Sequence, residues 1–199
     1  MKCEPSAYTI ADLERDGQTS WEGVRNYQAR NFMRDEMQEG DPVLFYASNA
    51  DPSGVTGLAT IARAGYPDSF AWRKGHTYFD AASSASNPIW YTVDLAFLER
   101  FPGIVSLETL KNTPGLENMV VTRKGSRLSV QTVTPAEYEI VVALGRAATA
   151  GDGAATEPAG SAAVGRAAAH KPVAQASAAG ATRKRPPVTR GAGKRSARR

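Results

Sequence analysis

Aromatic side chains next to small or polar residues are the feature of this sequence best suited to binding a ligand. The candidates are Trp21, Tyr27, Tyr46, Tyr66, Trp72, Tyr78 and Trp90, whereas Tyr91 is expected to be a core residue. Proteins recognise a nucleobase by stacking its face on aromatic rings while Ser, Asn and backbone groups read its edge. Trp21 is the sharpest candidate, because it lies between Gly17 and Gly23, just before a predicted helix start that could hold an anion. The alternative is that Trp21 is a core residue.

Residues for catalysis are few. His170 lies in the C-terminal segment, which leaves His76 alone in a predicted polar loop, and no metal-ligand spacing, GxSxG motif or phosphate-binding glycine loop is present. Glu4 and Asp94 both lie in predicted strands and are the carboxylates that a catalytic mechanism could use, although a buried, hydrogen-bonded carboxylate is the competing interpretation. We expect a non-catalytic protein without cofactor or metal. The alternative is an enzyme that acts on a flipped base, for instance a glycosylase.

Charge divides the chain into two parts. Residues 1–145 hold every aromatic residue and carry 13 Lys and Arg against 18 Asp and Glu, a net charge of −5. Residues 146–199 carry 11 against 2, a net charge of +9, and contain no Leu or Ile. Such a segment buries too little apolar surface to fold, so we expect a disordered Ala/Gly/Pro-rich tail after a domain ending near residue 145. The tail is predicted to bind nucleic acid through Arg183, Lys184, Arg185, Arg190, Lys194, Arg195, Arg198 and Arg199. A merely solubilising tail is the alternative.

The remaining composition bears on where the protein acts. Cys3 is the single cysteine, so an intramolecular disulfide is excluded. The sequence has no run of 18 apolar residues and no N-terminal signal-peptide pattern. We expect a soluble cytoplasmic protein without membrane contact, associated with the nucleoid in a bacterium or located in the nucleus of a eukaryote.

Hydrophobic periodicity and capping signals predict short strands with peripheral helices. An opening strand over Met1–Pro5 is followed by a helix around Ile10–Arg15 and a second helix from Asn26 that stops at Gly40. The sequence then predicts strands over Pro42–Tyr46, Val55–Ala62, Ile89–Phe97 and Arg127–Val133, a long polar loop over 65–87, a short helix over Ser106–Lys111, and a last helix that Thr134 and Glu137 begin with a capping box. The expected fold class is α+β, with five or six strands in a curved, mostly antiparallel sheet or barrel.

Several sequence runs resemble one known family. Met1–Pro5 reads MKCEP, residues 21–31 read WEGVRNYQARN, and further matches follow in order at 40–41, 45–49, 66–68, 90–94 and 127–131. Together they resemble the EVE domain family over residues 1–142, and the GVRNYQARN run is highly specific. The resemblance implies a PUA-like β-barrel, related to the YTH and ASCH domains. The basic tail lies outside it.

The resemblance also implies a function: recognition of a modified nucleobase, a modified cytosine in DNA being favoured and RNA the alternative, in an aromatic-lined pocket. The pocket residues implied are Lys2, Cys3, Trp21, Asn26, Tyr27, Tyr46, Ser48, Asn49, Trp90 and Ser129. Two departures bear on selectivity. Cys3 stands where the family usually has Ser, so a weakly hydrogen-bonding thiol replaces a hydroxyl. Ala47 stands where the family often has His. In addition, the sequence lacks the Arg that the family often places before Trp90, and with it one phosphate contact that the resemblance would imply.

Overall fold

Five strands and four α-helices follow one another along residues 1–149, the part of the chain that the computed structural model describes. The strands are β1 (Lys2–Cys3), β2 (Gln18–Ser20), β3 (Pro42–Ala47), β4 (Gly54–Pro67) and β5 (Tyr91–Ser106). The helices are α1 (Ile10–Asp16), α2 (Tyr27–Asp35), α3 (Leu107–Asn112) and α4 (Pro135–Ala147), with 3-10 turns at Ser69–Trp72 and Val120–Thr122. The predictions made for the basic tail, from Arg183 to Arg199, lie outside the described residues.

All five strands belong to one mixed sheet. Its order is β1-β3-β4-β5-β2, in which β1 runs parallel to β3 and the other pairs are antiparallel. The prediction of an α+β domain with about five strands is therefore confirmed. The closed barrel is not, because β1 and β2 lie at opposite ends of the order and no described pairing joins them.

The central hairpin is longer than the sequence predicts. β4 extends to Pro67 and β5 to Ser106, since the two strands stay paired through several register shifts that bend the hairpin. The strand predicted over Arg127–Val133 does not form. The side-chain Nε2 of Gln131 donates to the carbonyl of Leu128 and to Ser126 Oγ, both at 2.8 Å, so a side chain satisfies one main-chain carbonyl that a strand would have paired.

Helix boundaries follow their capping residues. The Thr9–Asp12 and Thr134–Glu137 capping boxes are both formed, which confirms the predicted starts of α1 and α4. α2 ends at Asp35 rather than near Gly40. Gly40, at φ 90°, lies in the turn that leads into β3.

Two hydrophobic cores cover the two faces of the sheet. Alternating side chains of β3 point to opposite faces: Phe45 joins one core, whereas Leu44 and Tyr46 join the other. The first core includes residues of α1 and α2, and the second includes residues of α3 and α4. The residues predicted to bind a base therefore lie on both sides of the sheet and at its β1 edge.

Candidate functional site

The side chains predicted to line a base pocket lie in three places. One set borders an open groove at the β1 edge of the sheet, a second lies in the first core, and a third surrounds the start of α2. The sets are Lys2, Tyr46, Ser48 and Asn49; Cys3, Trp21 and Ser129; and Asn26, Tyr27 and Trp90.

The groove has a volume of about 610 Å³ and is lined mainly by polar and basic residues. Its walls are β1, the end of β3, α3 and the segment 121–127. Among the described residues that line it there is no Asp or Glu, and its cations are Lys2, Lys111, Arg123, Lys124 and Arg127. We call this surface the basic groove.

Hydrogen bonds fix the floor of the basic groove. Lys2 Nζ donates to the carbonyl of Ser126 at 3.2 Å and lies 5.8 Å from the centroid of the Tyr46 ring. Partial burial lowers the pKa of Lys2, because the ammonium loses hydration. The main-chain amide of Ser48 donates to the carbonyl of Cys3, and the side-chain Nδ2 of Asn49 donates to the Glu4 carboxylate at 2.6 Å. Main-chain and side-chain bonds thus hold the end of β3 against β1.

Sequence reasoning missed most of these cations. Lys111, Arg123, Lys124 and Arg127 were not among the expected site residues, because the net charge of −5 over residues 1–145 hides a local cluster. The cluster does have a sequence signal: three of the five residues from 123 to 127 are basic and none is acidic.

The second set is buried. Trp21 is only 3% exposed and packs edge-on against Phe45, with ring centroids 5.8 Å apart, while its main-chain amide donates to the carbonyl of Val93. The structure therefore places Trp21 in the first core, and a base could stack on its indole only after a neighbouring side chain moved. Cys3 is equally buried, which raises the pKa of its thiol to about 12 and keeps the sulfur protonated.

Ser129 is the most informative member of the buried set. Its carbonyl accepts a hydrogen bond from the Lys2 amide at 2.7 Å, which joins the segment 126–131 to β1. Its side chain is only 7% exposed, yet Ser129 Oγ has no hydrogen-bond partner within residues 1–149. Leaving a buried hydroxyl unpaired costs about 1–3 kcal/mol, so this group is available to bind a ligand or a water molecule. Val130, the next residue, belongs to the same core as Cys3 and Trp21.

The third set presents an exposed aromatic face. Tyr27 is 59% exposed and stacks on Trp90, with centroids 5.0 Å apart and an angle of 30° between the rings. Arg30 lies 5.0 Å from the Tyr27 ring, and Arg25 lies 5.3 Å from the Trp90 ring. Asn26 caps α2, because its Oδ1 accepts hydrogen bonds from the amides of Gln28 and Ala29 at the start of that helix. We call the stacked pair of Tyr27 and Trp90 the aromatic platform.

Arg25 joins the loop of Trp21 to the loop that follows β4. Its guanidinium forms an ion pair with the buried Asp68 at 2.8 Å and donates twice to the carbonyl of Tyr78, at 2.6 and 3.1 Å. The Tyr78 ring fills the space beside Gly23, where an added Cβ would lie 2.3 Å from Tyr78 Cζ. Arg25 was not expected as a site residue, and Tyr78 was an aromatic candidate but not one of the expected pocket residues, because their contacts join segments far apart in sequence.

The two carboxylates considered for catalysis both accept hydrogen bonds from neighbouring side chains. Glu4 accepts from Asn49, and Asp94 accepts from the hydroxyl of Tyr66 and from Gln18. His76 stacks on Phe70 with ring centroids 4.5 Å apart. Within residues 1–149 there is no cluster of three His, Cys, Asp or Glu side chains that could hold a metal ion. The same residues contain no helix long and apolar enough to cross a membrane.

Together the sheet, the helices and the groove define a class of protein: a small α+β domain whose exposed basic surface suits a polyanionic ligand. The family model of the EVE domain matches residues 1–144. The chain belongs to the EVE domain family, as the sequence resemblance predicted.

Relatives and solved structures agree with this assignment. The chain is 36% identical to human thymocyte nuclear protein 1 over 163 residues, which cover 72% of each protein. A crystal structure from Pseudomonas putida is 44% identical, with a TM-score of 0.69, over 72% of this chain and 96% of that one. A crystal structure of human THYN1 protein in complex with DNA containing 5-methylcytosine is 36% identical, with a TM-score of 0.65, over 72% of this chain and 94% of that one.

Proposed function

We propose that this protein is a non-catalytic reader of a modified cytosine in DNA. The observation that carries the proposal is the complex of human THYN1 protein with DNA containing 5-methylcytosine, because that protein shares both the fold and 36% of the sequence over the whole EVE domain. The proposed place of action follows from the ligand: the nucleoid in a bacterium or the nucleus in a eukaryote.

The buried set is the proposed base-reading site. Lys2 and Cys3 are neighbours on β1, so that strand links the basic groove to the first core, and Ser129 is bonded to the same strand. The unpaired hydroxyl of Ser129 can donate to or accept from the edge of a base. Cys3 offers only a weakly polar thiol at a position where the family usually has Ser, which favours an apolar substituent on the base. Trp21 contributes ring area once the pocket opens.

The other regions supply affinity rather than selectivity. The aromatic platform offers the exposed face of Tyr27, on which a neighbouring base can stack. Residues 150–199 of the basic tail, which lie outside the described residues, carry ten Lys and Arg against two Asp and Glu, and this net charge of +8 supplies general attraction to phosphates. Domain and tail would thus act together on one stretch of DNA.

The test is a binding comparison with the full-length protein. Fluorescence anisotropy at fixed salt should give tighter binding to a duplex with one 5-methylcytosine than to the same duplex unmodified. Ser129→Ala should weaken binding of the modified duplex by about 2- to 12-fold, the equivalent of one hydrogen bond of about 0.5–1.5 kcal/mol. The same variant should not lose stability, because it removes an unpaired buried hydroxyl. Ser86→Ala, at an exposed loop serine, is the matched control and should change neither quantity.

Other outcomes would identify another function. Equal binding of modified and unmodified DNA by the parent protein would refute the proposal, and a preference for the corresponding RNA would assign an RNA-binding module instead. Mass spectrometry of the bases after incubation addresses the enzyme alternative. Loss or conversion of the modified base would show catalysis, for which Glu4 and Asp94 would be the candidate carboxylates.

A further inference from the structure

The basic groove is a local exception to the charge of its domain. Residues 1–145 carry a net charge of −5, yet five cations and, among the described residues, no carboxylate line this one surface. Positive charges concentrated in a concave surface raise the local potential and attract anions from solution.

The groove cations also lie outside the salt bridges of the domain. Within residues 1–149 the salt bridges involve Arg15, Arg25, Arg34, Arg100 and Arg146, and none of them lines the groove. Lys2 has its charge partly withdrawn from water, which lowers its pKa, and a bound anion would compensate that loss. The other four cations are exposed, so their charged groups are free to meet a ligand.

The segment that carries three of the cations is fixed to the fold. The Ser126 carbonyl accepts from Lys2 Nζ, and Ser126 Oγ accepts from the Gln131 amide at 2.8 Å. Gly125, at φ 83°, makes the turn between Lys124 and Ser126, and no described atom lies within 4 Å of the position that a Cβ would take. The chain therefore holds Arg123, Lys124 and Arg127 around an open turn rather than on a free loop.

Size and position favour an extended polyanion over a single small anion. A volume of about 610 Å³ is within the range of sites that hold a whole organic ligand, and the cations come from β1, α3 and the segment 123–127. The groove also adjoins the proposed reading site, because Lys2 precedes Cys3 and Arg127 precedes Ser129 by two positions. A DNA strand whose base reached that site would carry its neighbouring phosphates along the groove.

We propose that the basic groove binds successive backbone phosphates of the DNA strand whose base is read, so that the folded domain itself, and not only the basic tail, holds the DNA. The inference rests on the proposed function for the identity of the polyanion. It assigns positioning of the strand to Lys2, Lys111, Arg123, Lys124 and Arg127, which contact phosphate and do not read sequence.

The experiment compares two full-length triple variants that remove the same charge. Arg123→Gln/Lys124→Gln/Arg127→Gln neutralises the turn of the groove, whereas Arg15→Gln/Arg100→Gln/Arg146→Gln neutralises three exposed arginines outside it. Binding to a duplex with one 5-methylcytosine is measured across a salt series. Each lost phosphate contact should reduce the slope of log K against log salt by about 0.9, so the groove variant should lose about 2.7 from its slope and the control variant nothing.

The outcomes separate this inference from the proposed function. The preference for modified over unmodified DNA should survive in the groove variant, because the loss of phosphate contacts weakens the binding of both duplexes equally. An unchanged slope in the groove variant, or an equal loss in both variants, would overturn the inference even if the parent still prefers the modified base. If the groove variant instead loses only its binding to vesicles that contain phosphatidylserine, the groove is a membrane contact and the inference is wrong. Thermal melts of both variants establish that each is folded.

Discussion

Replacement of Gly23 by Ala should destabilise the protein more than the same replacement at Gly17. Both glycines have positive φ, 79° and 70°, so at either position a Cβ costs about 1–2 kcal/mol of backbone strain. At Gly17 no described atom lies within 4 Å of the added Cβ, whereas at Gly23 three ring atoms of Tyr78 lie between 2.3 and 2.6 Å from it.

The additional cost at Gly23 comes from the Tyr78 ring. The ring must move, and overpacking of a filled interior costs about 1–3 kcal/mol. Arg25 opposes this movement, because its guanidinium holds the Tyr78 carbonyl and is itself paired with Asp68. We therefore expect Gly23→Ala to cost about 2–5 kcal/mol in total, against about 1–2 kcal/mol for Gly17→Ala.

Urea unfolding of the two variants and the parent measures both values. A double-mutant cycle isolates the clash: in a Tyr78→Ala background, Gly23→Ala should cost no more than Gly17→Ala does. Equal costs at the two glycines in the parent background would refute the packing of Tyr78 on Gly23. A cost at Gly23 that persists after removal of the Tyr78 ring would assign the effect to backbone strain alone.

Four further predictions concern stability and reactivity. Trp21→Ala should cost about 3–5 kcal/mol in a denaturant melt, because the indole is buried against Phe45, and a variant as stable as the parent would contradict its place in the core. Asn26→Ala and Thr134→Ala should each cost about 1 kcal/mol through loss of a helix cap, and Asn26→Ser should recover most of the loss. The Cys3 thiol should resist a thiol reagent at pH 8 until urea unfolds the protein, because burial raises its pKa to about 12. In the unfolded protein the Cys3 thiol ionises near pH 9, whereas in the folded protein it stays protonated to about pH 12. This group should therefore make the free energy of unfolding fall as the pH rises above about 9.

Local chemistry explains what the sequence predicted well. The starts of α1 and α4 depend on a cap and an acidic residue three positions later, and both capping boxes form as expected. β3 is a continuous apolar run bounded by polar residues, and it too lies where the sequence predicts it. In these elements the residues that determine the structure are neighbours in sequence.

Distant contacts explain what the sequence could not predict. Alternating apolar residues predicted a strand over 127–133, but the Gln131 side chain takes up hydrogen-bonding groups of that segment. The location of Trp21 depends on Phe45 and Val93, which other strands bring beside it. The sequence did not predict the basic groove, because its cations come from separate parts of the chain, at positions 2, 111 and 123–127. The acidic residues elsewhere in the domain outweigh these cations in the net charge.

The bonds from Lys2 to Ser126 and Ser129 also constrain the order of events during synthesis. They join residues more than 100 positions apart, so the ribosome must release nearly the whole domain before β1 and the segment 126–131 can meet. Closing a loop of that length is slow compared with forming a helix or the β4–β5 hairpin. A nascent or C-terminally shortened chain can therefore form that hairpin early and still lack the basic groove, which the segment 121–127 completes. The groove should therefore form in a single late step.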